Sequence, residues 1–230
     1  MRTFIAIIIF CVFFTIVPDL RAEEHRSYYF SAKTGISLME FANASYYSAI
    51  GGDQTARYDR ASDDGVFGAG VGLGYYLTKN LRAEIEYFYR DTFEYNKRPT
   101  NDGIANANQE LKTQTLMAQV FYDIPNRTPL TPSVFAGAGI AYHETDADAQ
   151  LLIAPFFTYQ GSNSETEFAW NIGLGAGYAL TDRMAIDLMY RYISLGEVEW
   201  KNNRTDGGDM GGAEADITAN EILVSIRYSF

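Results

Sequence analysis

Thiols are almost missing from this chain. Its one cysteine, Cys11, lies inside an amino-terminal apolar run, and the residue before it, Phe10, is not the small one that a lipidation site requires. Beyond residue 22 there is no cysteine, so no disulfide holds the fold, and stability has to come from packing or from a closed hydrogen-bonded sheet. Long apolar runs are equally scarce. Phe4 to Val17, broken only by Thr15, falls short of the ~20 residues that a spanning helix needs, and nothing later reaches that length. A helical membrane protein is excluded. Basic residues are outnumbered, with 18 Lys and Arg against 29 Asp and Glu for a net charge of −11, which argues against nucleic acid as a partner. Histidine occurs only at His25 and His143, so general bases are few. No Pro- or Ser-rich stretch divides the chain, and residues 23–230 read as one domain.

The amino-terminal run has a purpose of its own. Arg2, the apolar stretch, Pro18 and the ending Leu20-Arg21-Ala22 read as a secretory signal peptide over residues 1–22, cleaved near Ala22. Its removal leaves 16 bases against 28 acids.

What the sequence has in plenty is aromatic residues, 15% of the chain, and glycine, set in a strict alternation. The carboxy-terminal segment shows it best. Ile222, Val224, Ile226, Tyr228 and Phe230 share one face, and Glu221, Ser225, Arg227 and Ser229 the other. Seven earlier segments repeat the pattern, with apolar faces running Tyr28–Leu38, Phe67–Leu77, Leu81–Tyr89, Leu116–Tyr122, Val134–Tyr142, Phe168–Leu180 and Ile186–Tyr192. Eight strands is an even number, as a closed bacterial outer-membrane barrel requires, with the apolar face turned outward to lipid. The connections alternate too. Thr78-Lys79-Asn80, Pro125 to Pro132 and Thr181-Asp182-Arg183 are short, whereas polar stretches near 41–64, 94–110, 145–166 and 195–217 predict long extracellular loops. The expected fold is an all-β, eight-stranded antiparallel transmembrane barrel, an up-and-down meander with both termini periplasmic. Threaded this way, the outward aromatics gather at two levels. Phe67 to Tyr75, or Trp170 to Tyr178, spans roughly 20 Å of height at ~3.3 Å per residue and ~40° tilt, close to the outer-membrane apolar band.

The inward faces are unlike a soluble core. Lys33, Arg82, Arg90, Arg191 and Arg227 point inward with Glu84, Glu86, Asp123, Asp187 and Glu221, beside strands bearing Gly68, Gly70, Gly72, Gly74 and Gly173, Gly175, Gly177. Five bases against five acids, in a barrel just wide enough for side chains to fill, predict a neutral ion-pair plug. A narrow ion-selective pathway along the arginines is the alternative.

The residues carry a family resemblance. Leu116 to Asp123, Pro132 to Tyr142 with Gly137-Ala138-Gly139, Gly173 to Tyr178 followed by Leu180-Thr181-Asp182, Tyr190-Arg191-Tyr192, and Glu221 to Phe230 occur in an order that resembles the opacity-protein-like eight-stranded outer-membrane barrels, with the membrane domain of outer membrane protein A more distant. That resemblance covers the barrel and not the long loops. It implies insertion by the outer-membrane assembly machinery, with Ile226, Tyr228 and Phe230 as the recognition signal, and surface roles such as adhesion or resistance to host defences carried by the loops. The resemblance transfers no binding residue.

Sites for chemistry are few. His143 lies ten residues from Ser133 on one strand, roughly 30 Å away, so the two cannot form a catalytic pair, and His143 reads as a polar rim residue. The acidic clusters Asp59, Asp63, Asp64; Glu144, Asp146, Asp148; and Asp206, Asp209 match no defined calcium loop and read as solvated surface. No metal and no cofactor is expected. Tyr46, Tyr47, Phe156, Phe157 and Tyr159 are candidate loop contacts, because exposed aromatics often mark binding surfaces. The leading expectation is a non-enzymatic outer-membrane protein, embedded among lipids and lipopolysaccharide, whose barrel is a scaffold for loops that meet a host or surface ligand, as adhesin or surface antigen. A small channel comes second, and a lipid-modifying enzyme third.

Overall fold

The strict alternation of this sequence folds into eight strands that wrap into one closed antiparallel barrel in chain order. The computed structural model describes residues 28–47, 65–97, 105–151, 158–203 and 209–230; the signal-peptide segment and His25 lie outside them. The strands are β1 (Tyr28–Tyr47), β2 (Gly65–Tyr76), β3 (Leu81–Lys97), β4 (Ala105–Asp123), β5 (Leu130–Leu151), β6 (Thr158–Ala179), β7 (Met184–Asn203) and β8 (Asp209–Ser229). Paired residues can be followed once round the wall from Tyr29 through Gly74, Glu84, Gln119, Gly137, Asn171, Ile193 and Ala219. The path returns to β1 at Met39, ten residues further on. That stagger gives the strands the tilt that closing a cylinder of eight requires. β1 and β8 seal it, and the Phe230 amide donates to the Tyr28 carbonyl at 3.1 Å.

Two of the three short turns use the same device. Thr78 Oγ1 accepts from the amides of Asn80 and Leu81, and Thr181 Oγ1 accepts from those of Arg183 and Met184, so each threonine satisfies two donors that the hairpin ladder leaves over. These turns and the chain end at Phe230 lie at one end of the barrel, the near end; the opposite end is the far end. Between them the outward face is a band of exposed apolar side chains, with rings of aromatics at its two margins: the tilted rings of Tyr28 and Tyr75 lie 4.8 Å apart on the near side, and those of Trp170 and Tyr192 5.7 Å apart on the far side.

Beyond the far aromatic ring the alternation inverts. Outward positions become polar, as at Glu40, Asp91, Lys112, Glu144, Ser164, Thr166 and Thr218, and inward ones turn largely apolar, as at Met39, Phe93, Leu111, Leu195, Val198 and Ile217. The strands therefore run on where the sequence predicted loops. Residues 41–47, 94–97, 105–110, 145–151, 158–166, 195–203 and 209–217 are β-structure, and 48–64, 98–104, 152–157 and 204–208 lie outside the described residues. A reading keyed to apolar-out, polar-in faces passes over this stretch because the same period carries the opposite sign.

The far part is also built differently. β6 pairs with β7 only from Ala179↔Ala185 to Trp170↔Ser194, although β5 continues along β6 to Thr158 and β8 continues along β7 to Asn203. β2 begins at Gly65, while β1 follows β8 to Tyr47 and β3 follows β4 to Lys97. Above the closed cylinder the described residues thus form two sheets, β3-β4-β5-β6 and β7-β8-β1.

Candidate functional site

All ten charges that the sequence placed in the lumen meet a partner of opposite sign. Lys33 bridges Glu84 and Glu86; Arg191 bridges Glu86 and Glu221; Arg90 Nε lies 2.7 Å from Glu221. Nearer the termini, Arg82 meets Asp123 at 3.3 Å and Arg227 meets Asp187 at 3.1 Å. Ser37 adds a hydroxyl donor to Glu221 at 2.5 Å. Glu86, Arg90, Arg191 and Glu221 are wholly buried. Taking such charges from water is costly unless each is paired, and the chain of shared carboxylates pairs them, although one terminal nitrogen each of Arg90 and Arg191 bonds to no described residue.

Apolar faces support the charges. Arg90 and Arg191 each lie 5.0 Å from the Phe88 ring, and Arg82 lies 3.9 Å from Phe121, which stacks on Phe135 at 4.8 Å. The glycines provide the room. A Cβ at Gly74 would collide with the Tyr29 ring, and one at Gly173 with Phe135. Gln119 and Asn171, which flank Gly137 in register, also face the lumen, and their amides make no hydrogen bond to the described residues. Sequence reading passed them over because a lone amide carries no charge signal.

On the far side of these pairs an apolar plug fills the barrel. Met39, Val66, Phe93, Leu111, Ala141, Ala169, Ile193 and Ile217 belong to it, so every strand contributes. Along β1, β3, β7 and β8 these residues follow Lys33, Arg90, Arg191 and Glu221 toward the far end.

His143 is not the rim residue the sequence suggested. It is buried, 1% exposed, because on β5 it takes an inward position beyond the ring, at the level of Glu165 on β6. Its Nε2 lies 2.9 Å from the Leu195 carbonyl, which can only accept, so Nε2 carries the proton and Nδ1 accepts from the Thr113 hydroxyl at 3.0 Å. The contact crosses from β5 to β7 where the β6–β7 ladder has ended. There β7 bulges between Ser194 and Gly196, and Gly196 adopts φ 87°, a conformation that suits glycine. Burial, reinforced by the Arg90 charge, holds the His143 pKa below the ordinary histidine value, against the opposing pull of its bond to Leu195.

Ile226, Tyr228 and Phe230 point outward at the β1–β8 closure, with the Tyr228 and Phe230 rings edge to face at 5.6 Å. Of the candidate loop contacts, Tyr46, Tyr47 and Tyr159 lie on strands β1 and β6 rather than in loops, and Phe156 and Phe157 fall outside the described residues. Glu144, Asp146 and Asp148 likewise lie on β5, and Asp209 begins β8; Asp59, Asp63, Asp64 and Asp206 are outside the described residues.

Comparison with known proteins agrees with this architecture. Outer membrane protein PagN of Salmonella typhimurium is 30% identical over 220 residues, covering 87% of this chain and 92% of PagN. Among solved structures, the outer membrane protein OprG from Pseudomonas aeruginosa matches with a TM-score of 0.53 at 14% identity, over 90% of this chain and 97% of that one. A major outer membrane protein from Thermus thermophilus matches with 0.54 at 10% identity, over 88% and 100%. At those identities the likeness concerns the fold. The model of the outer membrane protein beta-barrel domain matches residues 7–230, nearly the whole sequence, and the chain belongs to that family of outer-membrane barrels.

Proposed function

We propose that the protein is a surface-binding scaffold of the adhesin or surface-antigen class, and neither a channel nor an enzyme. In this reading residues 1–22 are removed near Ala22, both termini face the periplasm, lipids and lipopolysaccharide surround the apolar band, and the far part stands outside. Ile226, Tyr228 and Phe230 serve as the signal read by the assembly machinery. The observation that carries the reading is the plug above a lumen whose five bases and five acids are all ion-paired. An ion passing through would have to shed water in an apolar constriction, after displacing buried charges from their partners. Chemistry on lipid is disfavoured by the one buried histidine described. Thr113 and His143 are in contact, but the ring is oriented by a carbonyl instead of a carboxylate and both residues are shut away.

Two measurements test this. Single-channel recording of the purified barrel in planar bilayers is expected to show no discrete conductance, and steady openings would overturn the closed-lumen reading. Cells displaying the protein are expected to adhere to host cells or matrix more than cells displaying a form with residues 48–64, 98–104, 152–157 and 204–208 replaced by short Gly-Ser links; equal adherence would remove the scaffold role.

A further inference from the structure

We propose that the near end selects anionic phospholipid: Lys79, Arg127 and Arg183, one base in each of the three short turns, hold the negatively charged headgroups of the leaflet around them. This rests on the reading that sets the near end at the periplasm, and names the lipid which that end prefers.

Exposed apolar side chains carry the turns into the headgroup layer. The outward face continues past Tyr75, Tyr122 and Tyr178 to Leu77, Ile124 and Leu180, and Leu130 and Met184 begin the returning strands in the same way. Tyrosine takes the level of the headgroups, and apolar surface beyond it is favourable only against lipid. The bases stand two or three residues further on, where a long side chain reaches the phosphates. Their backbone is held in place. The Asp123 amide donates to the Asn80 carbonyl at 2.8 Å, the Ala179 amide to the Pro129 carbonyl at 3.4 Å, and the Ser229 amide to the Arg183 carbonyl at 2.8 Å, so each turn is tied to the next strand round the rim. Because the turns join β2 to β3, β4 to β5 and β6 to β7, successive bases are two strands apart.

Charge selects the headgroup. All three bases are exposed, and none is ion-paired with a described residue. Asp182 is the one acid in the turns, residues 77–80, 124–129 and 180–183. The far wall is the reverse: Glu40, Asp91, Glu110, Glu144 and Asp146 face outward there with Lys112. Every phospholipid offers a phosphate, which Arg127 and Arg183 can grip by two oxygens and Lys79 attracts as a point charge. A zwitterionic headgroup brings its own cation against the same bases, so a net negative one is preferred.

The test uses the full mature protein in phosphatidylcholine vesicles. Nitroxide-labelled phosphatidylglycerol or phosphatidylcholine is the probe, and electron spin resonance reads the share of label held at the protein wall. Phosphatidylglycerol is expected to associate about fivefold more strongly at low ionic strength, the effect of about one base per headgroup. That preference is expected to fade in about 1 M salt, where charges are screened beyond about 3 Å. Lys79→Gln, Arg127→Gln and Arg183→Gln together are expected to abolish it, whereas Lys112→Gln on the far wall leaves it intact. Equal association of the two lipids with the parent protein, a preference indifferent to salt, or one that persists in the triple variant overturns the proposal; the salt series decides it even if the triple variant fails to insert. On intact cells, Lys79→Cys is expected to escape a maleimide coupled to a polymer too large for the periplasm. Labelling would overturn the leaflet, and the periplasmic reading with it, independently of the vesicle result.

Discussion

At the scale of single residues, Glu221 carries the most. It accepts from Arg90, Arg191 and Ser37, so its neutral replacement leaves the buried Arg90 guanidinium without its carboxylate and Arg191 with Glu86 alone. Glu221→Gln is expected to cost about 3–5 kcal/mol in denaturant unfolding from lipid vesicles. Ser225, equally buried but with its hydroxyl bonded to no described residue, provides the contrast: Ser225→Ala is expected to stay within about 0.5 kcal/mol of the parent. Which residues face the lumen was legible in the sequence, because a period of two assigns every side chain to a face. Which acid meets which base was not. Glu221 on β8 reaches Arg90 on β3 across the lumen, and that meeting depends on the ten-residue stagger of the whole wall.

At the scale of elements, the sequence yielded all eight strands within the apolar band and missed their extensions, since Phe93, Leu111, Ile193 and Ile217 turn inward where Tyr87, Leu116, Tyr190 and Ile222 turn outward. It also held no sign that β6 and β7 part company, because pairing is a property of two strands and each alternates normally alone. The bond from His143 to Leu195 ties the two sheets together at that parting. The ring titrates more easily in the unfolded chain than in the folded one, so its contribution is complete at neutral pH and declines as pH falls below the ordinary histidine range. Hydrogen exchange in residues 195–203 is therefore expected to quicken between about pH 7 and 5 relative to residues 184–194, and His143→Asn to abolish that difference in pH response. An unchanged profile in the parent protein would show that the ring does not hold the sheets.

At the scale of the molecule, two constructions share one set of strands: a lipid-facing cylinder with charges inside, and beyond it a pair of sheets with an apolar interior. The cylinder has no edge, and each of its hydrogen bonds is shielded by lipid, so it opens only as a unit. Detergent-solubilised protein is expected to migrate compactly on a gel until boiled; identical bands before and after heating would mean that the wall is not closed in solution. The sheets beyond the ring obey a looser arithmetic. Lengthening a hairpin there by two residues in each strand keeps every face and every register below it, whereas a single inserted residue must be absorbed by a bulge such as the one at Leu195. The reach of this protein from the membrane can thus be altered in steps of roughly 5 Å, two residues at ~3.3 Å along a tilted strand, without disturbing one contact in the lipid.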